Sequence, residues 1–253
     1  MPDGRLTVVG TGLITPQHIT QETKRHIEAA DRVYYIVPDP LGVSYLQSLN
    51  SNLEYLGDCY EQTNNRADTY TLMADRIMQG IREDLSVVAV FYGHPGVFVS
   101  PSHKAISLAR AEGYPAKMLP GVSAEDCLYA DLGIDPCKHG TQSHEATYFL
   151  IYQTNIDPYS NFIIWQLGVV GDTSYSSTNV QPSEDGLLQL KNKLLNYYSS
   201  DHKIAIYEAA TLPTFHPRIE WLTLNDLDSA SISQISTLFI PAVYPRLRED
   251  NYQ

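Results

Sequence analysis

Short apolar runs that stop at glycine or proline recur through the first half of the chain. Leu6 to Val9 form such a run before Gly10-Thr11-Gly12, and Val33 to Val37 form another before Pro38. Ser86 to Tyr92 is continuously apolar after its first residue and stops at a Gly-His-Pro-Gly sequence. Continuous apolar runs of this length are typical of strands that are buried on both faces of a parallel sheet. We therefore predict three strands here, with the third at the centre of the sheet.

Segments with apolar positions at helical spacing alternate with these runs. One helix is predicted from Asp68 to Gly80, where Asp68 suits the N-cap and Gly80 suits a C-terminal stop. The other predicted elements are helices at Thr20–Ala30, Ser102–Glu112 and Ser123–Leu132 and a strand at Ala116–Leu119. This alternation predicts a parallel sheet whose ligand-binding loops follow the carboxyl ends of the strands.

The pattern changes after Gly133, where candidate strands outnumber the one clear helix, Gly186 to Tyr198. The predicted strands are Thr147–Tyr152, Phe162–Leu167, Ile204–Glu208, Arg218–Leu222 and Thr237–Ile240. A second α/β domain with a more mixed sheet is the simplest interpretation. We predict an N-terminal α/β domain at residues 1–120, a C-terminal α/β domain at 121–242 and an exposed tail at 243–253.

Length, charge and cysteine content narrow the classes of function. The 253 residues allow two modest domains, each with its own core. The net charge of -12 disfavours a nucleic-acid partner. The three cysteines are too widely spaced for a disulfide framework or a zinc site, which fits a reducing cytoplasm. No window reaches the roughly 18 apolar residues of a membrane span and no export signal begins the chain, so we expect a cytoplasmic protein.

Three glycine-containing loops follow predicted strands. Gly10-Thr11-Gly12 alone is weakly informative, because the dinucleotide fingerprint needs a further glycine that opens a helix. Gly93-His94-Pro95-Gly96 is more informative, since its glycines let the backbone approach a ligand while proline stiffens the loop. Pro120-Gly121-Val122-Ser123-Ala124 repeats this arrangement, with Ser123 placed as an N-cap.

In this order the three loops resemble those of the tetrapyrrole methylase superfamily. The resemblance is closer still to one branch, the borosin α-N-methyltransferases, and covers nearly the whole chain up to residue 241. The segments that carry it are Asn65–Tyr70, Phe91–Phe98, Asp131–Pro136, Ile206–Ala210 and Ser236–Pro241. It implies two α/β domains with S-adenosyl-L-methionine in the cleft between them, S-adenosyl-L-homocysteine as a product, and methylation of peptide backbone amides.

The resemblance implies a catalytic group of Arg66, Tyr70 and Tyr60. An amide nitrogen is a poor nucleophile because its lone pair is delocalised into the carbonyl. A guanidinium suits an oxygen that gains charge as the nitrogen loses its proton. Tyr70, whose ionised form a cation would favour, suits a base or proton relay, with water as the alternative base, and Tyr60 would orient the peptide. The plainer hypothesis is that Arg66 forms a surface ion pair and the tyrosines only pack.

The resemblance also implies a set of residues that bind the cofactor. Those around its methionine and sulfonium end are Tyr92, His94, Val97 and Phe98. Those around the remainder are Ser123, Ala124, Gln166, Tyr207, Ala210 and Thr237. As a lone histidine in a turn, His94 has the alternative role of capping its own loop. No histidine has a metal-binding spacing, and methyl transfer from a sulfonium needs in-line placement, so we expect no metal.

The resemblance further implies the partners. Fused members of the branch carry a clasp region and a C-terminal substrate peptide, whereas this chain stops about a dozen residues after its last predicted strand. It is therefore similar to the split type, whose substrate is a separate ribosomal precursor peptide, and a homodimer is expected because family members dimerise. Two alternatives stay open: a tetrapyrrole C-methyltransferase of the cobalamin or sirohaem type, and a non-catalytic protein that keeps the cofactor site.

Overall fold

The computed structural model describes residues 3–172, 183 and 185–244, which form two compact units. The first unit comprises residues 3–127 and 210–215, and the second comprises the remaining described residues. Compactness does not test whether each unit folds independently, so the predicted domain division stays a prediction. Residues 245–253 of the predicted tail lie outside the described residues.

The first unit contains a parallel sheet with helices between its strands. The strands are β1 (Arg5–Gly10), β2 (Arg32–Ile36), β3 (Leu53–Tyr55), β4 (Ser86–Phe91) and β5 (Ala116–Met118). The helices are α1 (Gln21–Glu28), α2 (Pro40–Leu49), α3 (Cys59–Gln62), α4 (Arg66–Arg82), α5 (Ser100–Ala111) and α6 (Ala124–Leu132), of which α6 continues into the second unit. The strand order is β3-β2-β4-β1-β5 and every pairing is parallel, which confirms the parallel sheet and the central place of β4.

Apolar side chains on both faces of this sheet explain the continuous apolar runs. Val8 of β1 packs in one buried cluster with Ile77 of α4. The next residue, Val9, packs on the opposite face with Ile27 of α1 and Leu46 of α2. Burying each such side chain contributes roughly 1.5–3 kcal/mol. The packing fixes the strands in register, so the loops after them emerge together at one edge, which we call the carboxyl edge.

The second unit contains a mixed sheet. Its strands are β6 (Thr141–Glu145), β7 (Asn161–Trp165), β8 (Lys203–Glu208), β9 (Arg218–Thr223) and β10 (Thr237–Ile240). Its further helices are α7 (Ala146–Ile151) and α8 (Gly186–Leu194). The order is β6-β7-β10-β8-β9, and β6 pairs with β7 in parallel while the other pairs are antiparallel, as predicted for a mixed sheet. Within the described residues no helix combines the length and the apolar character required to cross a membrane.

The predicted strand from Thr147 to Tyr152 is wrong, because this segment forms helix α7. The carboxylate of Glu145 accepts hydrogen bonds from the backbone N–H groups of Thr147 at 3.0 Å and Tyr148 at 2.7 Å, and so caps the helix. The strand at this place is β6, whose polar sequence TQSHE lies at the edge of the sheet. An edge strand without an apolar run gives no periodicity that predicts it.

Two predicted helices have different ends in the structure. Helix α8 ends at Leu194 rather than at Tyr198. The N-cap of α4 is Asn65 rather than Asp68, so the helix begins at Arg66, three residues earlier than a cap at Asp68 predicts. Gly80 does not stop α4 but is buried inside it, two residues before the helix ends.

Candidate active site

The three glycine-containing loops meet at the carboxyl edge of the first unit. They follow β1, β4 and β5, which are neighbours in the sheet. Gly12 and Gly93 bridge two of the loops, because the N–H of each donates to the carbonyl of the other at 3.1 and 3.0 Å. A Cβ on Gly10 would overlap the Gly93 carbonyl oxygen, and one on Gly121 would lie 3.3 Å from that oxygen. The absence of side chains therefore lets all three loops touch.

The loop after β4 has an unusual backbone and an exposed apolar end. Gly93 has a φ of +72°, and among the described residues a Cβ there would approach no side chain more closely than Leu13 Cδ2 at 3.7 Å. Phe98 carries a side chain and yet has a φ of +56°. Its ring is 53% exposed and Val97 is 42% exposed. Left-handed backbone at a non-glycine residue costs about 1–2 kcal/mol, and such strain clusters at ligand sites.

Tyr92 and His94 each have a defined protonation or hydrogen-bonding state in this loop. Burial, with smaller effects from Cys127 and Asp39, raises the pKa of Tyr92 to about 12. The Tyr92 phenol is therefore protonated at neutral pH and is available as a donor. His94 accepts a hydrogen bond on Nδ1 from the N–H of Gly96 at 3.0 Å, so it does cap its own loop. Its contact with a cofactor stays a prediction.

Ser123 ends the third loop and caps α6, as predicted. Its hydroxyl accepts a hydrogen bond from the N–H of Asp126 at 3.2 Å and donates to the Asp126 carboxylate at 2.7 Å. Its own N–H donates to the same carboxylate at 2.7 Å. The sequence analysis missed Asp126, although Ser-x-x-Asp at a helix start is the capping-box pattern. Ala124 is the half-buried first residue of α6, and Ala210 is half-buried outside the helices and strands of the first unit.

Helix α4 begins with two of the three predicted catalytic residues. The side-chain oxygen of Asn65 accepts a hydrogen bond from the N–H of Asp68 at 2.9 Å, which makes Asn65 the cap. Arg66 is therefore the first residue of the helix and does not precede its cap. Tyr70 follows it by one turn, so the two side chains lie on the same side of α4. Both are half-buried.

Tyr60 of α3 completes this group. Burial raises the pKa of Tyr60, the Tyr70 phenol raises it further, and the Arg66 guanidinium acts in the opposite direction. These mutual effects require the three side chains to be close together. Tyr60 and Tyr70 also pack against the same buried cluster. At neutral pH the Tyr60 phenol therefore keeps its proton and can donate a hydrogen bond. The role of Tyr70 as a base stays a prediction.

Arg66 differs from several other arginines of the chain, because it has no counter-ion among the described residues. Arg32, Arg76, Arg82 and Arg218 each form an ion pair with a carboxylate. Within the described part of the chain, no group forms an ion pair or a hydrogen bond with the Arg66 guanidinium. Although the chain has 29 acidic and 17 basic residues, none of the described carboxylates pairs with this half-buried cation, which lies beside two phenols. Such a group can stabilise an incoming oxygen that gains negative charge.

Three predicted cofactor-binding residues of the second unit lie at the same end of three neighbouring strands, β7, β10 and β8. Thr237 of β10 is the direct partner of Tyr207 of β8. Gln166 follows β7 in an exposed left-handed conformation, with a φ of +61°. The N–H of Leu167 then donates to the carbonyl of Ser236 at 3.2 Å, immediately before Thr237. The structure therefore gathers Gln166, Tyr207 and Thr237, and their contact with a cofactor stays a prediction.

A network of polar side chains forms hydrogen bonds at this end of the second sheet. The Tyr207 hydroxyl donates to the Asp131 carboxylate at 2.7 Å. Glu208 accepts hydrogen bonds from the Ser236 hydroxyl at 2.5 Å and from Arg218 at 2.9 Å. Burial alone would raise the pKa of Glu208, but these hydrogen bonds and the Arg218 charge lower it. The sequence analysis missed the network, because its members are distant in sequence and no spacing connects them.

The arrangement offers two chemical features at the carboxyl edge. One is the set of touching glycine loops, and the other is the unpaired Arg66 with its two tyrosines. Both lie there because α4 begins on the side where β3 ends and because the loops follow β1, β4 and β5. No group of three or more His, Cys, Asp or Glu side chains among the described residues could hold a metal ion. The expectation that no metal takes part stays a prediction.

Comparisons with known structures agree with this architecture. Uroporphyrin-III-C-methyltransferase from Thermus thermophilus has a TM-score of 0.67 and 20% identity, covering 94% of this chain and 92% of that one. A cobalt precorrin-4 methyltransferase has a TM-score of 0.64 and 17% identity, covering 94% of each chain. At these identities the likeness shows a shared fold.

Curated proteins are more similar in sequence. A "methyltransferase/ribosomally synthesized cyclic peptide gymnopeptides precursor" from Gymnopus fusipes is 44% identical over 94% of this chain, and a lentinulin A counterpart from Lentinula edodes is 41% identical over 94%. A "type I borosin cyclic peptide precursor" from Coprinopsis marcescibilis is 40% identical over 96%. The chain spans 57%, 58% and 63% of the lengths of these three relatives.

The family model described as Tetrapyrrole (Corrin/Porphyrin) Methylases matches residues 5–227. This match includes all three glycine loops, the start of α4 and most of the second unit. The chain belongs to the tetrapyrrole methylase family.

Proposed function

We propose that the chain is an S-adenosyl-L-methionine-dependent methyltransferase that methylates backbone amide nitrogens of a separate, ribosomally made precursor peptide. The observation that carries the proposal is the Arg66 guanidinium, which lies beside Tyr60 and Tyr70 and has no ion-pair partner in residues 3–172, 183 and 185–244. Further support comes from the names of the curated relatives, which combine a methyltransferase with a cyclic-peptide precursor.

The glycine loops fit S-adenosyl-L-methionine as the methyl donor. When bound, this cofactor supplies a methyl group on a sulfonium. The open backbone at Gly93 admits a ligand, and Val97 and Phe98 offer exposed apolar surface that binding would bury. The protonated phenol of Tyr92 can donate a hydrogen bond. The residues proposed to hold the cofactor are Tyr92, His94, Val97, Phe98, Ser123, Ala124, Gln166, Tyr207, Ala210 and Thr237.

The three residues at the start of α4 and on α3 have separate tasks in the proposed reaction. Arg66 donates hydrogen bonds to the carbonyl oxygen of the acceptor amide, and this oxygen gains charge as the nitrogen loses its proton. Tyr70 accepts that proton, directly or through a water molecule. Tyr60 keeps its own proton because burial raises its pKa, and it donates a hydrogen bond to the Tyr70 oxygen.

The test uses the part of the Gymnopus fusipes relative that lies outside its match to this chain, supplied as a separate polypeptide with S-adenosyl-L-methionine. We expect S-adenosyl-L-homocysteine release and a mass gain of whole methyl groups, which fragmentation places on backbone nitrogens. Uroporphyrinogen III serves as the parallel acceptor. Methylation of the porphyrinogen alone supports a tetrapyrrole C-methyltransferase, and binding of the cofactor without turnover of either acceptor supports a non-catalytic protein. Both results contradict the proposal.

The proposal includes a homodimer in the cytoplasm. Light scattering after size-exclusion chromatography tests the first part, since we expect twice the mass of one chain, and the mass of a single chain contradicts it. Fractionation of the source cells tests the second part, because recovery in a membrane or secreted fraction contradicts a cytoplasmic location.

A further inference from the structure

Four of the exposed large apolar side chains of the first unit belong to segments at the carboxyl edge. Among described residues 3–127, the large hydrophobic side chains that are exposed are Leu41, Tyr55, Val97 and Phe98. Leu41 follows β2, Tyr55 ends β3, and the other two follow β4. An exposed apolar patch that coincides with a candidate site indicates contact with a ligand. Val97 and Phe98 belong to the proposed cofactor site, which leaves Leu41 and Tyr55 without an assigned role, and of these only Tyr55 is aromatic.

Tyr55 is exposed and yet held in one position. Its ring lies 5.3 Å from that of Tyr35, its direct partner in the β2–β3 ladder, at an interplanar angle of 45°. The ring also extends over Gly57, where a Cβ would overlap it. Tyr55 nevertheless remains 49% exposed. A large ring that is already ordered loses little conformational entropy on binding, which is why such tyrosines contribute strongly to recognition.

Tyr55 adjoins the group that contains Arg66. Tyr55 is the last residue of β3, and Tyr60 is the second residue of α3, the next element along the chain. The pKa of Tyr60 is raised by burial, then by Tyr70, and to a smaller extent by the Tyr55 phenol. Leu56 between them is fully buried in the cluster against which Tyr60 and Tyr70 pack. The backbone next to Tyr55 is therefore anchored, through Leu56, to the cluster against which the two proposed catalytic tyrosines pack.

We propose that Tyr55 is a specificity-determining residue that binds an apolar side chain of the acceptor polypeptide beside the amide on which Arg66 acts. This inference rests on the proposed function. An aliphatic or aromatic side chain that covers the ring removes apolar surface of both partners from water. A charged side chain in the same place loses hydration without gaining a partner, because the Tyr35–Tyr55 surface is aromatic. An acceptor with an apolar residue beside the methylated amide is therefore preferred.

The experiment compares three variants with the wild-type chain. Tyr55→Ala removes the ring, Gly57→Ala displaces it without changing its chemistry, and Tyr55→Phe retains it. Tyr152→Ala is the matched control, because Tyr152 is a 60% exposed tyrosine of the second unit that stacks on Tyr148. The probe is the Gymnopus fusipes polypeptide described above, and each protein is measured for the Kd of the polypeptide without cofactor, for KM and kcat, and for the Kd of S-adenosyl-L-methionine.

We expect Tyr55→Ala and Gly57→Ala to raise the Kd and KM of the polypeptide at least about fivefold, typical of losing an aromatic anchor. Their kcat and cofactor Kd stay within about twofold of wild type, as do all values for Tyr55→Phe and Tyr152→Ala. A polypeptide with lysine in place of the apolar residue beside the methylated amide binds more weakly to the wild type. Tyr55→Ala no longer distinguishes the two polypeptides, which a merely structural role would not produce.

The outcomes separate this inference from the proposed function. Methylation by the wild type with an unchanged KM and Kd in Tyr55→Ala overturns the inference and leaves the proposed function intact. Binding that depends on Tyr55 without any methylation contradicts the proposed function and supports the binding surface. A wild-type chain that does not bind the polypeptide overturns the inference. Should Gly57→Ala fail to fold, Tyr55→Ala decides the matter alone.

Discussion

Arg66 is the side chain on which the proposed chemistry depends most, because the described structure gives it no carboxylate partner. Its position is a product of local structure, since the Asn65 cap makes it the first residue of α4. The paired arginines of the chain hold elements together; Arg76, for example, joins α4 to Glu54 of β3 and to Asp58 beside α3. This contrast supports the proposal that the cation at the start of α4 serves a ligand.

We expect Arg66→Ala and Tyr70→Phe each to lower the turnover of the acceptor peptide by at least about a hundredfold, because each removes a charge-stabilising or proton-transferring group. The cofactor Kd, measured by calorimetry, stays close to that of the wild type. Arg25→Ala is the control, since Arg25 is an exposed arginine of α1 and its loss leaves turnover unchanged. Unchanged turnover in both active-site variants removes these residues from the mechanism.

Gly10→Ala tests the contact between the glycine loops. The new methyl group overlaps the Gly93 carbonyl oxygen, a backbone atom that cannot rotate away. We expect a loss of about 1–3 kcal/mol in the free energy of unfolding, as for other overpacked sites, and weaker cofactor binding. Gly113→Ala provides the comparison, because Gly113 has a φ of +85° and no neighbour within 4 Å, so backbone strain is its only cost. Its cofactor affinity is unaffected; equal affinities for the two variants contradict the role of the loops.

Among the helices, α1 and α4 allow a matched test of how a cap supports the site. Thr20 caps α1 and Asn65 caps α4, each by accepting a hydrogen bond from the N–H three residues later, at 3.1 and 2.9 Å. We expect Thr20→Ala and Asn65→Ala each to lower the free energy of unfolding by about 1 kcal/mol in urea titrations. Only Asn65→Ala also lowers turnover, because the first turn of α4 carries Arg66. Equal turnover in both variants contradicts this coupling.

The sequence predicts most strands, including the half-exposed edge strands β5 and β9, and fails where a strand is polar or where a short apolar segment is capped as a helix. The central strand β4 is found because its apolar run continues through six residues. Strand β6 is missed because its edge position allows a polar sequence. Helix α7 is misread because five of its six residues are apolar or aromatic and suit either state until Glu145 caps the helix.

In the candidate site, too, some features can be predicted from the sequence and others cannot. The glycine loops can be predicted, since glycine and proline act locally, whereas the cap of α4 is decided by which of Asn65 and Asp68 accepts a backbone hydrogen bond. The Tyr55 ring above Gly57 and the Glu208 network depend on contacts that the sequence does not reveal.

For the molecule as a whole, buried tyrosines in both units predict lower stability at alkaline pH. Burial raises the pKa of Tyr60 in the first unit and of Tyr198 in the second, and raises that of Tyr92 to about 12. Unfolded tyrosines lose their protons near pH 10 while these native ones keep theirs. The unfolded state then binds fewer protons, so the free energy of unfolding falls as pH rises above about 10.

Urea titrations from about pH 8 to pH 11 measure this dependence. Tyr198→Phe makes the alkaline decline shallower, because it removes one group whose native pKa is raised. Tyr152→Phe leaves the decline unchanged, since Tyr152 is largely exposed. A wild-type stability that stays constant over this range contradicts the prediction.

The central claim is that Arg66 holds the carbonyl oxygen of the acceptor amide. A crystal structure of the chain with S-adenosyl-L-homocysteine and an unmethylated acceptor peptide measures this directly. The account predicts a guanidinium nitrogen of Arg66 about 3 Å from that oxygen, with the Tyr70 hydroxyl near the amide nitrogen. A guanidinium that points into solvent, or that pairs with a carboxylate while the peptide is bound, contradicts it.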